Sequence, residues 1–300
     1  MNRRFELTDE EWARLAPLLP AMTPQRGGHW RDHRQVLNGI LFRVRSGVPW
    51  RDLPERYGPW ETVYKRFARW QTDGTWARIQ ASLHTQADAA GTLDWDAQID
   101  STVVRAHQHA AGARKGGSLD PGKPPASAGT VTRWADHQAA QRLRRPGPES
   151  GYPAHPGQDA DTSELVGLVD QVRVARPGGR GRPRMRPDHL TGDKAYSSRA
   201  NRAALRARHI RHTIPERDDQ RANRARRGAR GGRPPAFDRV RYRNRNQVER
   251  LMNRRKQFRA VATRFDKLAD RYQATITIAD IFIWLRARPD RPRGDPRNTP

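Results

Sequence analysis

The chain has no cysteine, so disulfides and thiolate metal sites are excluded, and a reducing cytoplasm is compatible. Lysine is nearly as scarce: only six of the 58 cationic residues are Lys, and the remainder are Arg. Acids are few as well, 32 Asp and Glu in 300 residues, which leaves a formal net charge of +26. No apolar run reaches the roughly eighteen residues that a membrane span requires, and the N-terminus shows no signal-peptide pattern. What is abundant is arginine, which pairs bidentately with phosphate and stacks on bases. Nucleic acid is therefore the leading partner, ahead of an anionic membrane surface or an Arg-rich disordered tail.

Residues 1 to about 90 read as an all-α unit. Thr8-Asp9-Glu10-Glu11 has the form of a capping box, with Trp12, Leu15, Leu18 and Leu19 following at helical spacing. A second helix is expected from about Asp32 until Gly47 and Pro49 stop it, a third from Trp60 to Thr72 and a fourth from Thr75. The third turns Val63, Tyr64, Phe67 and Trp70 inward and Lys65, Arg66 and Arg69 outward. Short helices with one basic face suit a helix-turn-helix type DNA reader; a plain bundle with a solvated basic face is the alternative.

From Thr92 the pattern changes to α/β. Asp94–Asp100 alternates as a strand, extended by Thr102, Val103 and Val104. About 111–160 is poor in large apolar residues and reads as loop or disorder. A short helix over Ser163–Val174, a Gly/Arg/Pro linker, a strand His189–Asp193, a helix Ser198–Arg208 and a strand Arg211–Ile214 follow. About 217–239 reads as an Arg/Gly-rich mobile loop that touches phosphate, Tyr242–Phe258 as one helix, and Asp266–Arg288 as an apolar helix. The tail 289–300 is expected to be disordered.

Tyr242, Arg245, Glu249 and Lys256 fall at intervals of three, four and seven residues, which on one helix keeps them within a broad stripe. A carboxylate among cations suits a metal-bound acid beside a phosphate backbone, although an i, i+4 pair such as Arg245–Glu249 is equally at home on a solvated face. Two strand-end acids, Asp100 and Asp193, precede Glu249, and three carboxylates can hold two divalent ions for phosphodiester displacement. Hard oxygen ligands favour Mg²⁺. His107 and His109 fit polar surface or DNA contact better than a transition-metal site.

These residues carry a resemblance. Asp100-Ser101-Thr102-Val103-Val104-Arg105-Ala106-His107, Gly192-Asp193-Lys194-Ala195-Tyr196-Ser197-Ser198 and the Tyr242/Arg245/Glu249/Lys256 set resemble the three signature blocks of DDE transposases of the IS-five insertion-sequence type. Leu7–Trp12, Gly47–Pro54, Phe265–Ala269 and Ile283–Arg286 are similar to that family's terminal blocks. The resemblance implies a helical DNA-binding domain over 1–90 and an RNase H-like catalytic domain over 91–288, a mixed sheet with flanking helices. Asp100 is then expected on the first strand, Asp193 after the fourth and Glu249 on a late helix; the three are the implied catalytic and metal-binding acids, with Tyr242, Arg245 and Lys256 as auxiliaries. Two Mg²⁺ ions are implied, with Mn²⁺ as a substitute. Lys65, Arg66, Arg69, Arg105, His107, Lys194, Arg254 and Arg255 are the candidate DNA contacts. The implied reaction is hydrolytic nicking at element ends followed by attack of the freed 3′-hydroxyl on target DNA, by a cytoplasmic, nucleoid-associated homo-oligomer on double-stranded DNA.

Between about Pro125 and His155 the resemblance fails, because Pro, Gly and Arg stand where two core strands are expected. Codons permitted for Thr132–Gln138, read one nucleotide forward, can spell the family-like R-G-G-L-T-T-K. The expectation is that about 126–155 is translated out of frame between two compensating indels. Two strands beside the Asp100 strand would then be missing and its ladder left unpaired. The alternative to an active transposase is thus a catalytically inactive remnant that retains DNA binding.

Overall fold

The computed structural model describes residues 5–23, 29–105, 129–134 and 161–286, with only the backbone path described for 100–105, 129–134 and 161–164. Helix α1 (Asp9–Leu15) begins at the expected capping box: Glu11 N donates to Thr8 Oγ1 at 3.1 Å and Thr8 N donates to Glu11 Oε2 at 3.0 Å. In α2 (His33–Ser46) the Asp32 carboxylate accepts from Arg34 N and Gln35 N. The helix ends at Gly47, whose φ of +73° favours glycine and where an added Cβ would come within 3.0 Å of the Arg259 Cβ. Helices α3 (Trp60–Thr72) and α4 (Thr75–Ala89) follow, and Val36, Ile40, Val63, Phe67, Trp70, Trp76 and Ile79 are buried together.

The sheet is mixed, in the order β2-β1-β3-β4. Strand β1 (Asp96–Arg105) runs antiparallel to β2 (Gly129–Trp134), which registers Asp100 with Trp134. Helix α5 (Asp161–Asp170) precedes β3 (His189–Gly192), which is parallel to β1. Helix α6 (Arg199–Ala207) leads into β4 (Arg211–Thr213), parallel to β3. Ile99, Leu190, Leu165, Val169, Leu205 and Ile214 form the apolar layer between this sheet and its helices. β2 corrects the expectation that 125–155 holds no strand and leaves the β1 ladder open. Short Thr/Val alternation after a Gly pairs with a neighbouring strand even where the surrounding sequence is rich in Pro, Gly and Arg. The rest of 106–160 lies outside the described residues, as do 287–300 and hence the tail expectation. Among the described strands Asp193 follows the third.

Helix α7 (Asp218–Arg226) replaces the start of the expected loop. Asp218 and Asp219 in its first turn and Arg224 and Arg226 in its last complement the helix dipole, and the Gln220 side chain accepts from Ser197 Oγ and donates to the Ser197 main-chain carbonyl. The expected single helix from Tyr242 is two: α8 (Arg239–Arg243) and α9 (Asn246–Lys256). They are separated by i→i+3 bonds from Asn244 N to Arg241 O and from Arg245 N to Tyr242 O. Helix α10 (Arg259–Ala262) and α11 (Ala269–Arg286) complete the chain.

α11 is buried on nearly all sides, as a helix apolar around its circumference must be, and its Ile276, Ile278, Phe282 and Leu285 share one core with α2, α3 and α4. The helical unit is therefore built from both ends of the chain. Two ion pairs with almost no exposure lock it: Arg43 Nη2 to Asp266 Oδ1 at 3.0 Å, and Arg255 to Asp280 through bidentate bonds of 2.6 and 2.7 Å. Arg286 Nε also reaches Glu11 Oε1 at 2.8 Å, joining the last helix to the first.

Candidate active site

The parallel register pairs Ile99 with Gly192; Asp100 continues β1, and Asp193 directly follows the end of β3. Adjacent strands lie roughly 4.8 Å apart, which brings the two positions close without any loop to adjust them. The side chain of Asp100 lies outside the described part. Asp193 is half-buried and caps the following turn, its Oδ1 accepting from Lys194 N at 2.6 Å. Tyr196 in that turn is buried beneath it.

Glu249 lies on the first turns of α9, which packs on β1 through its neighbouring residues and on the helical core through Leu251 and Met252. Its side chain is 52% exposed, and Oε1 accepts from Arg245 Nη2 at 3.1 Å. Arg245 stands 5.7 Å from the centroid of Tyr242, so these three residues do meet, although Tyr242 belongs to α8. Lys256, seven residues on, is exposed at the far end of α9.

Several interactions here were absent from the sequence reading. Arg241 pairs with both Asp96, the first residue of β1, and Asp238. Asp238 accepts from Val240 N and Arg241 N, bonds that hold its carboxyl below the usual range and fix the start of α8. An Asp directly ahead of a short basic run is an N-cap signal, and could have revealed this helix. His189, paired with Asp96 in register, is buried, and its pKa is lowered by burial and then by Arg241; Thr213 Oγ1 lies 3.1 Å from its Nε2.

Of the expected DNA contacts, Lys65, Arg69, Lys194 and Arg254 are exposed. Arg66 and Arg255 are corrections. Arg66 is buried, with Nη1 2.7 Å from His33 Nδ1 and its guanidinium 4.0 Å from the Trp30 ring centroid, and burial lowers its pKa. Arg255 is committed to Asp280 in the core. A heptad of charges marks a face as basic; it does not reveal a buried acid 25 residues away. The side chain of Arg105 and the whole of His107 and His109 lie outside the described residues.

Among the described residues no group of three His, Cys, Asp or Glu stands ready to hold a metal ion, and none of their helices is long and apolar enough to cross a membrane. The donor chemistry nevertheless suits a hard divalent cation: Asp193 keeps Oδ2 and Glu249 keeps Oε2 beyond their protein bonds.

Comparison with known proteins gives the class and the family. The family model described as "Putative transposase of IS4/5 family" matches residues 7–80, and the model "Transposase DDE domain" matches residues 95–282. The second spans more than half of the chain, which therefore belongs to the DDE transposases of insertion elements. Among curated relatives, "Uncharacterized protein y4sN" of Sinorhizobium fredii (strain NBRC 101917 / NGR234) is 44% identical over 115 residues, 38% of this chain and 88% of that protein. "Insertion element IS402 uncharacterized 16.2 kDa protein" of Burkholderia cepacia is 36% identical over 107 residues, 33% of this chain and 73% of that protein. No solved structure matches the chain. The inactive-remnant alternative is not favoured: the DDE match runs through the aberrant segment, and β2 within it pairs with β1.

Proposed function

We propose that this chain is a transposase that cleaves DNA at the ends of an insertion element and joins the freed 3′-hydroxyl to target DNA, with Asp100, Asp193 and Glu249 as its acids. The observation that carries this reading is the parallel pairing of Ile99 with Gly192, each followed directly by an acid, with the helix of Glu249 packed on the Asp100 strand. Arg241 in α8 also pairs with Asp96, the first residue of β1, which ties the segment leading into α9 to the strand that carries Asp100.

The three carboxylates would hold two Mg²⁺ ions, or Mn²⁺ in their place, and such ions supply an activated water or 3′-hydroxyl and neutralise the leaving oxygen. The protein's own groups orient the acids and the strand. Arg245 fixes the Glu249 carboxylate, Tyr242 backs Arg245, and Lys256, Lys194 and Arg254 offer charge to neighbouring phosphates. The catalytic part is read as RNase H-like, residues 91–288, and the unit over 1–90 as a helix-turn-helix-like DNA reader presenting Lys65 and Arg69. The complex is read as a homo-oligomer on double-stranded DNA in the cytoplasm, associated with the nucleoid.

The test is cleavage of a duplex carrying the element's terminal repeat, with Mg²⁺ added or chelated. Asp193→Asn and Glu249→Gln are each expected to lower cleavage by about 10²–10³-fold or more, the scale of losing one preorganised charge at a transition state, while duplex binding persists. Cleavage that survives both substitutions, or that ignores chelation, sinks the reading.

A further inference from the structure

We propose that residues 173–186 form a minor-groove probe whose tip, Arg180-Gly181-Arg182, enters narrow A·T-rich DNA. The proposal rests on the DNA-acting reading above and adds a second contact site, its groove and its sequence preference. Between Asp170 and Asp188 there is no carboxylate side chain, but there are six arginines: Arg173, Arg176, Arg180, Arg182, Arg184 and Arg186. The segment is a stapled hairpin rather than a plain linker. Val174 and Arg184 exchange backbone bonds of 2.9 and 2.8 Å as an isolated antiparallel bridge, and Val174 is fully buried. Arg184 lies 3.8 Å over the Trp95 ring centroid and bonds Asp188 at 2.6 Å, while Arg176 stands 3.9 Å from Asp88 at the end of α4. Two of the arginines are thus spent on holding the base.

Beyond that base every residue from Ala175 to Arg182 is exposed. Gly181 has φ +90°, a conformation side chains rarely adopt, and open space where its Cβ would be. The tip is therefore a bare stretch of backbone flanked by two exposed guanidinium groups. The minor groove is only about 6 Å wide, too narrow for a helix but open to a chain without side chains at its centre. A-tracts narrow it further and deepen its negative potential, which draws in arginine. Guanidinium is more weakly hydrated than ammonium, so it loses less on entering such a groove. The position also fits. Asp188 N bonds Trp95 O at 3.0 Å, placing the base of the hairpin at the start of β1, four strand residues or roughly 13 Å before Asp100. Its contact would fall on DNA flanking the cleaved phosphate and not on that phosphate itself.

The experiment is fluorescence anisotropy of the full chain on two duplexes of equal length, one A·T-rich and one G·C-rich, at one fixed salt concentration. Each is repeated with a minor-groove-binding polyamide as competitor. The wild type is expected to prefer the A·T-rich duplex by about tenfold, the scale of one or two well-read base pairs, and to be displaced from it by the polyamide. Arg180→Ala/Arg182→Ala is expected to bring the ratio close to one and to abolish sensitivity to the polyamide. Arg180→Lys/Arg182→Lys is expected to keep most of the G·C-rich affinity and lose the preference. Equal weakening on both duplexes with the ratio unchanged would reduce the tip to a phosphate contact and overturn the proposal, as would a wild type with no preference. A wild type that binds neither duplex overturns the DNA-acting reading along with it.

Discussion

Arginine–carboxylate pairs serve opposite purposes in the two halves of this molecule. In the helical unit Arg43–Asp266 and Arg255–Asp280 are almost without exposure, surrounded by the apolar faces of α2, α9 and α11. Near the sheet Arg245–Glu249 is partly open, with Glu249 52% exposed, and Asp193 is half-buried on a turn. Buried pairs fix which helices meet, because removing one partner strands the other in a medium that cannot solvate it. Open pairs contribute little to folding and leave a carboxylate available for chemistry. The same two residue types therefore build the frame in one region and the candidate site in the other.

The sharpest way to break that contrast is Asp280→Ala. Leaving Arg255 uncompensated in the core is expected to cost about 3–5 kcal/mol, read from the denaturation midpoint of the full chain. Because α11 closes the core of α2, α3 and α4, the loss should appear in the N-terminal helices too, as a single cooperative transition at lower denaturant. A loss below about 1 kcal/mol would mean that the pair is not buried in solution.

A smaller effect follows from pH. Burial lowers the pKa of His33, His189 and His212, so each is neutral in the fold. A group whose folded pKa is depressed below its unfolded value of about 6.5 lends stability that is complete above that pH and fades as pH falls through the folded value. The melting temperature is therefore expected to drop on acidification below about pH 6.5. His33→Gln and His189→Gln should each flatten the slope relative to the wild type. Asp280 is shifted upward by burial, against the pull of Arg255, and opposes this trend, which is why the comparison is between variants rather than with a flat line. A slope indifferent to both substitutions counts against the buried neutral rings.

The smallest change is expected at the open pair. Arg245→Ala should shift unfolding by no more than about 1 kcal/mol, because an exposed pair returns little to folding, while slowing Mg²⁺-dependent cleavage through a misplaced Glu249. If Arg245→Ala unfolded the protein as Asp280→Ala does, the distinction between frame and site would collapse.

Much of this was legible in the sequence where the signal is local. The Thr8–Glu11 box, Asp32 and Gly47 bounded α1 and α2, and the burial of Val63, Phe67 and Trp70 followed from helical spacing. Asp193 at the end of a short strand was also visible, as was the Arg245–Glu249 pair. The misreadings share one cause. Arg66 and Arg255 were placed outside because charge alone predicts exposure; their burial depends on Trp30, His33 and Asp280, which lie far off in sequence. α7 was hidden by its Arg-rich, apolar-poor sequence, and β2 by a short alternation whose pairing with β1 no local pattern announces.

The sequence by itself determined the class of partner, through its arginine and scarce acids, and the order of helices and strands, because caps and apolar spacing act within a few residues. Only the tertiary structure decided which charges are structural and which are exposed, that the last helix completes the first core, and that Ile99 pairs with Gly192, each just ahead of an acid. Burial and strand register are set by partners tens to hundreds of residues away, and no local pattern carries that information.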